Sequence, residues 1–383
     1  SGTLSSGDIT IAVDDTPTIN FKKASSADVL SAINVTTDAG SGGKLEIQTK
    51  RNGDSALTAL TLDDGQNATF AGDIRTTTAG TSNFRAGVNA GNSITSGGAE
   101  NTVVGDEAGT AVTVGLQNTL IGFRAGDALT DADHNVAVGR QALTTGTINT
   151  LIGGLSGDSL TSGNSNVAVG FSSLTSDTKG DKNVAVGVST LAAQNFTNTT
   201  DAFNTAVGHE AGKSITAGFL NTLIGGLAGS NLTTGDNNVA VGVNSLTTET
   251  LGDRNVAVGV AALSTQNFTS TTDAYNTAVG YTAGAVITTG IGNTLMGGLA
   301  GDALSDADHN VAVGFNALTT DTLGSRSTAI GYAALSTQNF TSATFGENTA
   351  AGYAAGGVVT TGIQNTLIGS RAGDALTDAD YNT

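Results

Sequence analysis

Few residues in this chain are equipped for chemistry, and their spacing limits what they can do. There are three histidines, His134, His209 and His309. Two of them close the string Asp-Ala-Asp-His, at 131–134 and 306–309, and a third copy ends in Tyr381. Asp131 with Asp133, and Asp306 with Asp308, place two carboxylates on one short turn. Such pairs are candidate ligands for a hard cation such as Ca²⁺. The ordinary reading is a solvated turn in which Asp accepts backbone N–H groups. Ca²⁺ takes roughly six to eight oxygens, more than one turn supplies, so no metal or other cofactor is expected. The string Gly208-His209-Glu210-Ala211-Gly212-Lys213-Ser214 looks like a phosphate loop. Its spacing is shorter than GxxxxGK[ST], and no strand–loop–helix unit surrounds it. Ala285 stands where Lys213 would recur. The GGLAGD strings lack the third glycine of the calcium-binding GGxGxD repeat. No histidine lies at a recognisable spacing from a serine nucleophile. The acids are too scattered to nominate a glycosidase pair, whose carboxyls must sit within about 10 Å. The chain is therefore expected not to be an enzyme.

Aromatic residues are scarce, and three strings carry several of them: QNFTNTTDAF (194–203), QNFTSTTDAY (266–275) and QNFTSATFGE (338–347). As functional elements, these would be protruding loops that present Phe196, Phe268, Phe340 and Tyr275 to a glycan or protein. As structural elements, the phenylalanines would plug a gap at a chain–chain seam. The structural role is the expectation, because a large aromatic is more often buried than displayed.

The elements that must position these residues are set by one recurring motif, N-[T/V]-x-[V/I/M]-G, which runs from Asn101 to the C-terminus. Sixteen closing glycines, Gly105 to Gly369, follow one another at steps of 17 residues, with one step of 14 and three of 21. Ser327 replaces the Asn once and Ala351 replaces the Val/Ile once. A period this short holds one or two strands and their turns, which is one rung of a β-solenoid. Three 17-residue rungs and one of 21 make a 72-residue block, and 204–275 aligns with 276–347 without a gap.

Within NTLIG (221–225), Thr222 and Ile224 point to one side of the strand and Leu223 to the other. Both sides carry residues suited to burial, so one should face the inside of the coil and the other a second copy of the chain. The closing glycine implies a positive φ or close backbone approach. The repeated Asn predicts an amide ladder along the stack. The Ala-Gly or Ala-Leu pair that follows suits a crowded position of little volume. So thin a core favours a multimer. Sixteen rungs at ~4.8 Å predict a shaft of roughly 75–80 Å.

Composition agrees with an ordered repeat array. Glycine supplies 54 of 383 residues, against a usual level of roughly 7%, and there is one proline and no cysteine or tryptophan. The glycines are periodic and flanked by Val, Ile and Leu, which argues against disorder. Without cysteine there is no disulfide framework, which suits a reducing cytosol or an outer surface held together by other means. A formal charge of −18 repels nucleic acid and anionic membrane. No apolar run reaches the ~18 residues of a spanning helix, so neither nucleic-acid binding nor membrane insertion is expected.

Three regions are expected. Residues 1–80 form a β-rich domain with strands at 8–13, 17–23, 44–50, 56–64 and 67–74, and one short helix over 25–33. Residues 81–100 form a Gly/Ser/Thr-rich junction in which NFRAG (83–87) is a degenerate rung. Residues 101–383 form the repeat array. The chain starts at Ser1 and ends on Asn382-Thr383, the opening of another rung, so the natural protein is expected to continue past both ends.

Runs such as NVAVGVAALSTQ and NTAVGYTAG resemble the head repeats of YadA-like trimeric adhesins over about 101–383. The resemblance implies a left-handed parallel β-roll with three chains side by side, here with an enlarged outer turn. ALTALTLDDGQNATFAGDI (56–74) resembles a segment common in bacteriophage tail fibres that precedes the shaft. Together these imply an all-β, homotrimeric, non-enzymatic virion fibre or appendage shaft, located on the virion or otherwise extracellular. It would join other virion proteins at its N-terminal side and attach to a host cell-surface glycan or protein. The alternative is a bacterial trimeric surface adhesin or extracellular filament, and a polysaccharide-degrading tailspike comes third.

Overall fold

The computed structural model describes residues 80–383 in full. Before them it describes the backbone of five strands: β1 (Thr18–Lys22), β2 (Val29–Asp38), β3 (Ser41–Thr49), β4 (Leu57–Leu62) and β5 (Ala68–Phe70). The chain divides into two units, Ser1–Thr76 and Thr77–Thr383.

In the first unit the five strands form one antiparallel meander in sequence order. The strands expected at 17–23, 44–50, 56–64 and 67–74 appear as β1, β3, β4 and β5, and the one expected at 8–13 lies outside the described residues. The helix expected over 25–33 is corrected: 29–33 belong to β2. The run Val-Leu-Ser-Ala-Ile-Asn-Val-Thr-Thr is rich in β-branched residues, and its weak helix preference is overridden by pairing on both edges. Ile33 lies opposite Ile19 of β1 and Ile47 of β3.

The second unit is a parallel β-solenoid. Seventeen three-residue strands, from Phe84–Ala86 to Thr366–Ile368, pair in parallel, each with the next along the sequence. Motif position pairs with motif position throughout, for example Thr205 with Thr222 and Thr222 with Val239. The 14- and 21-residue steps leave this register intact: Val136 pairs with Thr150, and Val184 with Thr205. Length differences are taken up in the turns. NFRAG is a full rung, since Phe84 pairs with Thr102 and Asn83 joins the ladder described below. Seventeen strands at ~4.8 Å span roughly 77 Å.

The middle residue of each strand faces the interior and is fully buried in nearly every rung, whereas its two neighbours face outward. An Ala or Ser behind the closing glycine, such as Ala211 or Ala228, is also fully buried. The next position is either Gly or Leu, for a reason the sequence reading did not reach. Where it is Gly, an aliphatic residue three places on fills the core, as Ile215 does after Gly212 and Leu232 after Gly229. A Cβ on Gly229 would stand 2.8 Å from Leu223 Cδ2 and 2.9 Å from Leu232 Cδ1. Where it is Leu, as at Leu174, Leu246 and Leu318, that leucine fills the space and the third residue on is polar: Asp177, Glu249 or Asp321. So the Ala-Gly and Ala-Leu pairs are two ways to supply the same core volume, rather than one position intolerant of volume.

The closing glycines stack on one another. Gly225 has φ +138°, and a Cβ there would lie 2.5 Å from the carbonyl oxygen of Gly242. Only glycine meets both demands. Each rung also turns at non-glycine residues in the left-handed region, such as Leu220 (φ 58°) and Leu227 (φ 61°). Their N–H groups donate to carbonyls one rung back, Leu220 to Ala202 at 2.8 Å and Leu227 to His209 at 2.9 Å, which offsets the conformational cost of order 1–3 kcal/mol.

The asparagine ladder runs the length of the stack. Asn118 donates its backbone N–H to Asn101 Oδ1 at 2.9 Å and its Nδ2 to the same oxygen at 3.0 Å. Nδ2 also donates to the Ala132 carbonyl at 2.9 Å. The ladder is buried, so each amide replaces water that the backbone groups have lost. Ser327 keeps the backbone bond to Asn310 Oδ1 at 2.9 Å.

Candidate interaction faces

The outward strand face is built from motif positions two and four. Position two is Thr or Val from Thr102 onward and position four is Val, Ile, Met or Ala, so no charge occurs there on any of the seventeen strands. The long position-four side chains are substantially exposed: Ile224 is 40% accessible and Met296 45%. One residue past the glycine, a second row adds exposed Phe123, Phe171, Val243, Val260, Phe315, Tyr332 and Tyr353. Phe315 stacks on Tyr332 at 5.8 Å between centroids, and Tyr332 on Tyr353 at 5.3 Å with planes 7° apart. Stacking along the solenoid turns the ring faces toward one another.

Leu223 and Leu295, at position three, are fully buried inside the coil. The outward residues of those rungs are Ile224 and Met296.

The 21-residue rungs build two further features. The first is internal. Phe196, Phe268 and Phe340 are buried, at 7%, 5% and 5% exposure, within a single chain. Beside each lies an acid–amide pair. Gln194 Nε2 donates to Asp177 Oδ2 at 2.6 Å, Gln266 to Glu249 Oε2 at 2.8 Å, and Gln338 to Asp321 Oδ2 at 2.5 Å. The other carboxyl oxygen collects backbone donors: Glu249 Oε1 accepts from Thr250, Leu251, Gly252 and Phe268. The glutamines hand the ladder on, with Gln194 Oε1 accepting from Asn204 Nδ2 at 2.9 Å. These acids are buried without a cationic partner among the described residues, and their acceptor capacity is met by N–H groups. Sequence reasoning missed them. The available signal was an acid recurring every 72 residues, three places after Leu174, Leu246 and Leu318.

The second feature is external. The added residues form short parallel pairs, Gly180–Asp181 with Thr200–Asp201 and Gly252–Asp253 with Thr272–Asp273. On this rim Lys182 Nζ lies 2.6 Å from Asp201 and 5.1 Å from the Phe203 ring centre. Arg254 pairs with Asp273 and sits over Tyr275 at 5.7 Å. Arg326 sits over Phe345 at 3.7 Å and reaches Glu347 at 3.4 Å. Hydrogen bonds from Gln364 and Arg326 hold the Glu347 carboxyl below the usual range. Tyr275 is 57% exposed.

The remaining predicted site residues act as turn caps. Asp133 Oδ1 accepts the Leu116 N–H at 2.7 Å, and Asp308 Oδ1 the Ile291 N–H at 2.8 Å. Asp131 accepts from Thr130 Oγ1 and Asp306 from Thr289 Oγ1. The same cap, two residues before the ladder Asn, recurs at Asp236 and Asp181, whose carboxyls burial pushes up. Among the described residues no group of three or more His, Cys, Asp or Glu is placed to hold a metal ion. His134, His209 and His309 are exposed on separate rungs. Lys213 of the phosphate-loop-like string is paired with Glu210 at 3.0 Å.

The fold and these faces define a single-chain parallel β-solenoid with an uncharged outward strand face. Comparison with protein families, curated proteins and solved structures finds no match to this chain.

Proposed function

We propose that the chain is the shaft of a non-enzymatic, extracellular virion fibre, assembled as a homotrimer and serving host attachment, with other virion proteins joined at its N-terminal side. The observation that carries this reading is the outward strand face. A solvated sheet face alternates apolar-in with polar-out. Here the outside is uncharged over all seventeen strands and mostly β-branched, in a chain of net charge −18. The position-four row is apolar on every strand, and an apolar row of this length is a surface to be covered. A second copy supplies a matching stripe at the same ~4.8 Å period. The acids described above serve as turn caps, exposed ion-pair partners or buried partners of glutamine amides, which suits a mechanical part. The resemblance to YadA-like heads favours three copies, and the tail-fibre-like segment at 56–74 favours a virion.

Mass measurement by light scattering on the full chain tests the assembly, with Ile224→Asp and Met296→Asp placing charge on the outward face. The expected result is a trimer that the double variant dissociates. A wild-type chain that is folded and monomeric refutes the reading. Leu223 and Leu295, which sequence alone suggests for this test, are unsuitable because they line the inner core.

A further inference from the structure

The three rim clusters of the long rungs share a composition that their sequence order does not share. In the first two, the acid precedes the aromatic: Asp201 then Phe203, and Asp273 then Tyr275. In the third the order is reversed, Phe345 then Glu347. Each cluster nevertheless keeps one cation, one aromatic and one acid, and keeps both the ion pair and the cation–ring contact. The trio is retained while its register changes, so the constraint acts on the group of side chains. Stability is a weak source of that constraint. All nine side chains are exposed, and exposed ion pairs contribute about 0–1 kcal/mol. Buried Phe268 and the Glu249–Gln266 pair already anchor the same rung.

We propose that each cluster is a binding subsite for a neutral glycan, repeated three times along the shaft. This deepens the attachment role proposed above and rests on it. The cation lies over each ring, and each ring is still about half exposed, which suits stacking against the C–H face of a pyranose. The neighbouring carboxylate accepts hydroxyl hydrogens, and the guanidinium or ammonium donates to ring or hydroxyl oxygens. Beside the aromatic, the added loop presents small hydroxyl and amide residues, Thr197, Asn198 and Thr199 in the first cluster, all exposed. Charge selects the ligand class. Each cation is neutralised by its own acid, and the chain as a whole is strongly negative, so polyanionic glycans are repelled. The subsites stand four rungs apart, roughly 19 Å at the spacing of parallel strands, close enough for one polysaccharide or a cluster of surface glycans to engage several.

The test uses the full chain on an array of immobilised neutral oligosaccharides, with sialylated and sulfated counterparts. The Phe203→Ala/Tyr275→Ala/Phe345→Ala variant removes the stacking surfaces. The Asp201→Asn/Asp273→Asn/Glu347→Gln variant keeps the shape and removes the charged acceptors. Wild type is expected to bind neutral glycans, the aromatic variant to lose about 100-fold or more of the avidity, and Tyr275→Ala alone to lose less. Melting temperature and oligomer mass are expected to stay unchanged. Binding that survives both triple variants, binding confined to the charged glycans, or no glycan binding by wild type overturns the proposal. So does a change of oligomer mass in the aromatic variant, which would place the clusters in a chain–chain seam. A monomeric wild type that binds neutral glycans through these residues refutes the fibre reading and leaves the subsites standing.

Discussion

The exchange of core volume between Gly229 and Leu232 gives the sharpest test of the architecture. Leu232 is fully buried, so Leu232→Ala alone is expected to cost about 2–5 kcal/mol in lost transfer energy and cavity. Gly229→Leu alone adds a side chain whose Cβ starts 2.8 Å from Leu223 and 2.9 Å from Leu232. Overpacking then costs about 1–3 kcal/mol, with a left-handed backbone penalty of order 1–3 kcal/mol besides. The double variant Gly229→Leu/Leu232→Ala recreates what the 14-residue rung already has: Leu143 at φ 61°, with Gly146 three places on. The added leucine then fills the space the other vacates. The double variant should lie well above the additive expectation, with a coupling of about 2–3 kcal/mol. Denaturant unfolding of the full chain, with hydrogen exchange at the Leu223 rung to localise the effect, reads this out. A double variant as unstable as the sum of the singles would refute the exchange.

Other outcomes follow from the same geometry. Gly225→Ala puts a methyl 2.5 Å from the Gly242 carbonyl at a φ of +138°, so it should cost at least as much as the core cavity and raise exchange locally at that rung; wild-type melting would contradict the stacked-glycine column. Phe268→Ala should lower stability by about 3–5 kcal/mol as seen in melting, because the ring is buried within its own chain; unchanged melting with lost cell attachment would instead make it a contact residue. Burial raises the folded-state carboxyl of Asp236, so the folded chain holds that proton more tightly than the unfolded one. Its contribution therefore makes stability rise as pH falls through the raised folded value toward the ordinary value of ~4. Asp236→Asn, which keeps an oxygen for the Phe219 N–H, should flatten that part of the melting-versus-pH curve; identical curves would count against the burial effect.

The repeat alone was enough to determine the architecture of the long unit. A strand–glycine motif at a step of 14 to 21 residues leaves no room for anything but a coil, and the amide ladder follows because Asn recurs at one register. The closing glycine was legible for a related reason: its φ is a local demand, and its close approach to the glycine of the next rung follows from the fixed period. Helix against strand at 29–33 was not legible, because pairing with β1 and β3 decided it and local preference did not. Alternation said that positions three and four face opposite ways, but it could not say which is inside. That depends on how the turn closes, and the closure puts Leu223 in the core and Ile224 outside. The buried acid–glutamine pairs and the rim clusters depend on residues 17 to 21 apart being brought one above another by the ladder. Gly229 and Leu232 share one volume only because the turn folds both against Leu223. Periodicity dictates a stack, whereas stacking dictates which side chains meet, and every candidate site here is made of such meetings.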